Sequence, residues 1–336
     1  MTKRIRITLA LTLIASGALL LALLLRPGGP GRTSGAPVEK ITVGVANIVS
    51  TALFDVAAAQ DLFRKQGLEV EIVEYATGVL AAEALLEKKL DVATATEFVA
   101  VTKHFDHPEV RILASIARPE MHELIARRDR GITDPSHLRG KRIAVTRHSS
   151  GDFFLENFLA NQGIPADGVT PVDLPPPGIL AAIASGSVDA AMTWEPTVGA
   201  IKEQLGPNGV SWPGQGEYAY YVVLLTRDDV LGKHPAAAER LLRALIEAER
   251  YAAEHPAEAQ EILARRPGYQ KAAIAALWPK CDFRVRLDQN LLTLMEDETR
   301  WANRRKGLKP AVPNYLAVIH RDTLKKIKPG AVSIIH

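Results

Sequence analysis

The feature that most constrains this chain is a strand–helix alternation that begins at Ile41 and starts over at Asp134. Residues 41–46 (ITVGVA) form a β-branched, apolar run, and residues 51–67 space their apolar side chains as a helix that stops at Gly67. Residues 68–75 alternate with period two, and Gly78 opens a helix reaching Lys88. A strand over 90–96, a helix over 98–105 and strands over 111–117 and 122–128 complete the first block. The second block has strands ahead of His148, at 169–174 and before Trp194, with helices at 150–163, 178–185 and 197–206. An apolar strand within 218–231 precedes helices at 236–255, 257–266 and 288–305. This rhythm predicts an α/β protein with mostly parallel sheets and helices on both faces. Two such blocks predict two lobes: residues 37–119 with 220–336, and residues 120–219. The chain would cross between them near 117–122 and 216–222, leaving a cleft.

Residues 1–36 have another character. Lys3, Arg4 and Arg6 precede an uncharged run from Ile7 to Leu25, which as a helix would span about 28 Å, close to the hydrocarbon core of a bilayer. The excess of positive charge at its start predicts an N-terminus in the cytoplasm and a body outside. The run is longer than an ordinary cleaved signal, so it reads as a retained anchor. Cleavage after Ser34-Gly35-Ala36 is the alternative. The Pro- and Gly-rich stretch that follows the run reads as a tether.

Charge excludes one class of partner. The chain carries 41 basic and 38 acidic side chains, but five of the basic ones lie before Pro37, where there is no acid. The remaining 36 against 38 leave a slightly acidic body with no basis for a nucleic-acid stripe. The one cysteine, Cys281, allows no internal disulfide, and no HExxH, P-loop or GxSxG occurs. No cofactor and no metal are expected, and the chain reads as a monomer.

Open α/β sheets bind ligands at the carboxyl ends of their strands, where helix N-termini present N–H groups. The candidates there are Asn47, Ser50 and Thr51; Thr77 and Gly78; Thr94, Thr96 and Glu97; Arg118 and His122 at the first crossing; His148, Ser149, Ser150 and Asp152; and Trp194 and Glu195. Each has a plainer reading. Ser149 or Ser150 could simply cap a helix, Glu195 could sit at a helix start where acids are favoured, and Trp194 could pack between lobes. Arg118 could be an anion clamp or a hinge ion pair, and Gly78 could serve turn geometry. Glu97, Asp152 and Glu195 set against Arg118, His122 and His148 predict a cleft of mixed charge.

Three stretches carry a family resemblance: DPSHLRGKRIAVTRHSSGDFFLENFLANQGI (134–164), GSVDAAMTWEP (186–196) and HPAAAERLLRALIEAERYAAEHPAEAQEIL (234–263). In this order they resemble the periplasmic binding proteins of the nitrate, sulfonate, taurine and thiamine-pyrimidine group. The resemblance implies a type II periplasmic-binding fold and an ABC-transporter permease with its ATPase as partners. It also implies a non-enzymatic clamp for a small solute. It suggests that Glu195 accepts from the amine of a taurine-like sulfonate; nitrate, bicarbonate or a pyrimidine-type heterocycle is the alternative. A sensory binding protein and an enzyme on the same fold, with Asp152 or His148 as acid or base, are the other readings.

Overall fold

The computed structural model describes residues 38–216, 220–305 and 312–335. The export segment expected at residues 7–25 and its tether lie outside them. Among the described residues no helix is long and apolar enough to cross a membrane.

Two sheets form the frame. The first is built from β1 (Glu39–Ala46), β2 (Leu68–Tyr75), β3 (Val92–Thr96), β4 (Val110–Pro119), β10 (Val222–Arg227) and β11 (Cys281–Asp282), in the order β11-β4-β10-β3-β1-β2. The second contains β5 (His122–Arg127), β6 (Arg142–Val145), β7 (Thr170–Asp173), β8 (Ala190–Trp194) and β9 (Gly209–Pro213), in the order β7-β6-β8-β5-β9.

Both sheets are mixed, which corrects the mostly parallel expectation. β2, β1 and β3 run parallel, as do β7, β6 and β8. β10 lies antiparallel between β3 and β4, and β5 lies antiparallel between β8 and β9. β5 directly follows a passage from one sheet to the other. Parallel neighbours need a long crossover; a strand arriving from the other sheet has none and is free to pair antiparallel.

The helices are α1 (Ala52–Ala59), α2 (Leu62–Lys65), α3 (Gly78–Leu86), α4 (Glu97–His104), α5 (Ser150–Asn161), α6 (Pro176–Ser185) and α7 (Thr197–Leu205). Beyond β10 come α8 (Asp228–Lys233), α9 (Ala237–Glu254), α10 (Pro256–Leu263), α11 (Lys271–Leu277) and α12 (Gln289–Arg305). The single helix expected over 51–67 is two, because Asp61 turns left-handed at φ 56°; aspartate tolerates that region better than most residues. The strand expected within 218–231 is confined to β10, and Asp228 and Asp229 open α8, where acids suit a helix start. The pattern did not predict β9, β11 or α11.

Apolar packing runs from sheet to sheet. Phe98 on α4 lies 6.0 Å from Phe153 on α5, and Trp301 on α12 meets them at 5.4 and 5.5 Å. Such aromatic contacts between the helices of the two sheets add to the area they bury.

Candidate functional site

The carboxyl ends of β1, β3 and β8 meet the start of β5 and the approach to β10, and there they enclose a cavity of about 40 Å³. On this measure one water needs about 10–15 Å³, so the cavity in this conformation has room for only a few waters. Thr77, Gly78, Thr96, Ser149, Ser150 and Trp194 line it, joined by His122, Tyr220 and a few apolar side chains.

Each polar side chain arrives by local logic. Thr77 caps α3, its hydroxyl accepting from the Leu80 N–H at 3.2 Å. Gly78 is required by a close approach: a Cβ there would sit 2.8 Å from Ala95 Cα. Ser149 caps α5, accepting from Gly151 N–H at 3.2 Å and donating to the Thr146 carbonyl at 2.7 Å. The plain capping reading of Ser149 therefore holds, and its hydroxyl also borders the cavity. Three helices, α3, α4 and α5, begin at or beside the cavity, so the positive ends of their dipoles gather around it.

His122 is the central polar group. It is buried, shares a hydrogen bond between Nε2 and Ser150 Oγ at 3.1 Å, and leaves Nδ1 buried without a partner. Phe154, Trp194 and Tyr220 surround its ring with centroids at 4.7, 5.6 and 4.7 Å. Burial pushes the imidazole down to about 3, with Gln215 acting weakly in the other direction, so the ring is neutral at neutral pH. Thr96 Oγ1, Asn47 Oδ1 and Ser50 Oγ are also buried without a hydrogen-bond partner. Of this set Thr96 and His122 line the cavity, while Asn47 and Ser50 do not; buried polar atoms are nearly always paired, so the two that line it point to a polar guest.

Other predicted residues are held elsewhere. Thr51 Oγ1 binds the Ala46 and Ile48 carbonyls at 3.0 and 2.8 Å. Thr94 Oγ1 accepts from Ala46 N–H at 2.8 Å, pinning β3 to β1. Neither lines the cavity. Arg118 pairs across β4 and β11 with Asp282 at 3.8 Å, which corresponds to its ion-pair reading. His148, in the left-handed region at φ 59°, and Asp152 border a separate crevice of about 450 Å³ with Arg147, Lys103 and Trp301. Asp152 is paired there with Arg147 at 3.4 Å.

The two remaining acids do not line the cavity. Glu97 is fully buried, and its Oε2 accepts from Tyr221 N–H at 2.7 Å. Burial pushes it up to about 8, with the Tyr221 N–H pulling back. Glu298 on α12, also fully buried, is held well above the usual carboxylate range by burial and by Glu97. Glu195 turns its Oε2 to the Gly199 N–H at 2.8 Å, inside the first turn of α7, and burial raises it too. Strand-end position brought these acids near the cleft, and backbone donors turned them away. No lysine, arginine, aspartate or glutamate is among the described residues lining the cavity. Among the described residues no cluster of three or more His, Cys, Asp or Glu is placed to hold a metal.

Tyr220 was not anticipated from the sequence. It sits at the second crossing, whose position the block pattern did indicate, but the apolar run YAYYVVLL disguised it as a strand residue.

Known proteins share this fold. A Brucella abortus protein designated a binding protein is 24% identical over 225 residues, covering 66% of this chain and 69% of its own length. The taurine-binding periplasmic protein of Escherichia coli is 29% identical over 63% of this chain and 66% of its own. The alkanesulfonate-binding protein SsuA from Xanthomonas axonopodis pv. citri, solved bound to MOPS, superposes with a TM-score of 0.71 at 18% identity, over 89% of this chain and 100% of that one. A desulfurization enzyme, DSZB, has the fold as well (TM-score 0.65, 17% identity, 86% of this chain and 98% of that one), so fold alone does not separate binding from catalysis. The family described as NMT1/THI5 like matches residues 48–259, more than half of the sequence. The chain belongs to the NMT1/THI5-like family.

Proposed function

We propose that this chain is an extracytoplasmic solute-binding protein that closes its two lobes, residues 37–119 with 220–336 and residues 120–219, over a small organic oxyanion of the sulfonate class. An ABC permease with its ATPase would receive the solute. The observation that carries this reading is the cavity itself. It lies where strand ends of both sheets meet, and it is bordered by His122 and Thr96, which carry buried polar atoms without hydrogen-bond partners. Helix N-termini supply donors for an anion without a fixed cation, and the Trp194, Tyr220 and His122 rings supply walls for an alkyl tail.

The acids' positions sharpen the ligand class. With Glu195 capping α7 and Glu97 bound to Tyr221, no carboxylate among the described residues lining the cavity awaits an amine. This favours a plain sulfonate over taurine. The aromatic walls also suit a planar heterocycle of the pyrimidine type, which is the second reading.

Ser150 and His122 have the spacing of a nucleophile and its base. A working dyad needs a base titrating near the operating pH and a third group orienting it. His122 titrates far below neutrality and its Nδ1 has no acidic partner, which supports capture without bond-breaking. The remaining thiol, Cys281, is buried and pushed well up, so it is a poor nucleophile.

A thermal-shift panel of alkanesulfonates, taurine, nitrate, bicarbonate and pyrimidines tests the ligand. A ligand at about 100 times its Kd adds about 2.7 kcal/mol of stability. Small-angle scattering with and without the best ligand tests closure; equal compactness in both states would remove the clamp.

A further inference from the structure

We infer that His122 determines specificity by taking up a proton when an oxyanion enters the cavity, so that capture of the anion and protonation of the imidazole are one coupled event. This inference rests on the reading of the cavity as an oxyanion site.

Among the described residues lining the cavity, His122 is the one side chain able to supply positive charge there. No Lys or Arg is among the described residues lining the cavity. Nε2 is engaged by Ser150, and Nδ1 is buried without a hydrogen bond of good geometry, with the Gln215 side chain also interacting with the ring. The ring is wedged among Phe154, Trp194 and Tyr220, so it cannot swing out to water when it charges. A second proton, taken from solvent, would give the imidazole N–H donors on both nitrogens, and its charge would neutralise the bound anion.

Burial explains why the proton waits for the ligand. Without an anion the imidazole titrates at about 3. An opposite charge within about 4–6 Å moves a titration by about one to three pH units, which brings it to as high as about 6. At that upper value, affinity for a permanently charged sulfonate rises about tenfold as pH falls from about 7 to about 5, by linkage.

The other titratable groups nearby do not imitate this. Tyr220 and Cys281 are pushed up by burial, away from this range. Glu97 and Glu298 stay protonated throughout it. Glu123, next to His122 in β5, is paired with Lys202 at 2.5 Å, and Asp152 on α5 with Arg147. Glu195 is raised but lies against Gly199 N–H, and Glu195→Gln controls for it.

The experiment is calorimetric titration of the wild-type protein with ethanesulfonate at about pH 7 and about pH 5. Two buffers of different ionisation enthalpy count the protons taken up. The expected result is close to one proton per ethanesulfonate at the lower pH and roughly tenfold tighter binding. Dimethyl sulfone, an uncharged analogue, should show neither. His122→Gln should lose the low-pH gain, while Glu195→Gln should keep it. The proton count is read on wild-type protein, so it stands even if His122→Gln misfolds. Ethanesulfonate binding with equal affinity at both pH values and no proton uptake overturns the inference and leaves the clamp intact. No binding of any sulfonate at either pH overturns the inference together with the oxyanion reading.

Discussion

Gly78→Ala tests the geometry of the cavity at its tightest point. The added Cβ would lie 2.8 Å from Ala95 Cα, 3.2 Å from the Thr94 carbonyl oxygen and 3.3 Å from Ala95 Cβ. Two of the three are backbone atoms of β3, so no rotamer change relieves the clash. Carbon contacts are comfortable at about 3.5–4.0 Å, so the start of α3 must move off β3 by roughly 0.7 Å. Overpacking of this kind costs about 1–3 kcal/mol, partly offset by up to about 1 kcal/mol of better helix propensity. The net expectation is a loss of about 1–2 kcal/mol, which for a domain of this size lowers Tm by roughly 2–8 °C. The same shift withdraws the N-terminal N–H groups of α3 from the cavity. One hydrogen bond to a charged group is worth about 1.5–3 kcal/mol, so the best oxyanion should bind about tenfold more weakly or worse. Thermal unfolding by circular dichroism and titration calorimetry read the two effects. Gly232→Ala on α8 is the control, because a Cβ there meets nothing within 4 Å, and it should be neutral or stabilising by up to about 1 kcal/mol. If Gly78→Ala matches Gly232→Ala in stability and binds as wild type does, the close approach of α3 to β3 is wrong.

Three further outcomes follow from the same geometry. Glu97 titrates higher folded than unfolded, so its protonation supports the fold fully below the ordinary carboxylate range, and that support is lost as pH rises to about 8. Chemical denaturation between about pH 5 and pH 8 should show stability falling by up to about 1.4 kcal/mol per pH unit from this group, and Glu97→Gln should flatten that slope; an unchanged slope refutes the assignment. Glu195→Ala should cost about 1 kcal/mol by leaving the α7 N-terminus uncapped while sulfonate affinity stays within a few-fold; a selective loss of taurine binding would restore Glu195 as an amine contact. Thr94→Val, which removes the acceptor of Ala46 N–H, should lower stability by about 1–3 kcal/mol, and a neutral result in thermal unfolding would show that β1 and β3 do not depend on it.

Local chemistry determined much of this protein from the sequence alone. Two strand–helix blocks implied two lobes, the strand ends marked where a guest would sit, and seven of the named candidates line one cavity. Capping by Thr77 and Ser149 follows from residue type at a helix start, which acts over two or three residues. What tertiary structure decided was orientation and environment. Glu97 faces away from the cavity because the N–H of Tyr221, 124 residues later, claims its carboxylate. Glu195 faces away because cleft position carries no information about which donor lies behind it. Strand direction was misjudged for β5 and β10 because the periodicity of a strand is the same in parallel and antiparallel pairing. His122 gained its character only from Phe154, Trp194 and Tyr220, gathered from distant parts of the chain. A side chain's charge state is set by the dielectric and partners around it, and only the folded arrangement supplies those.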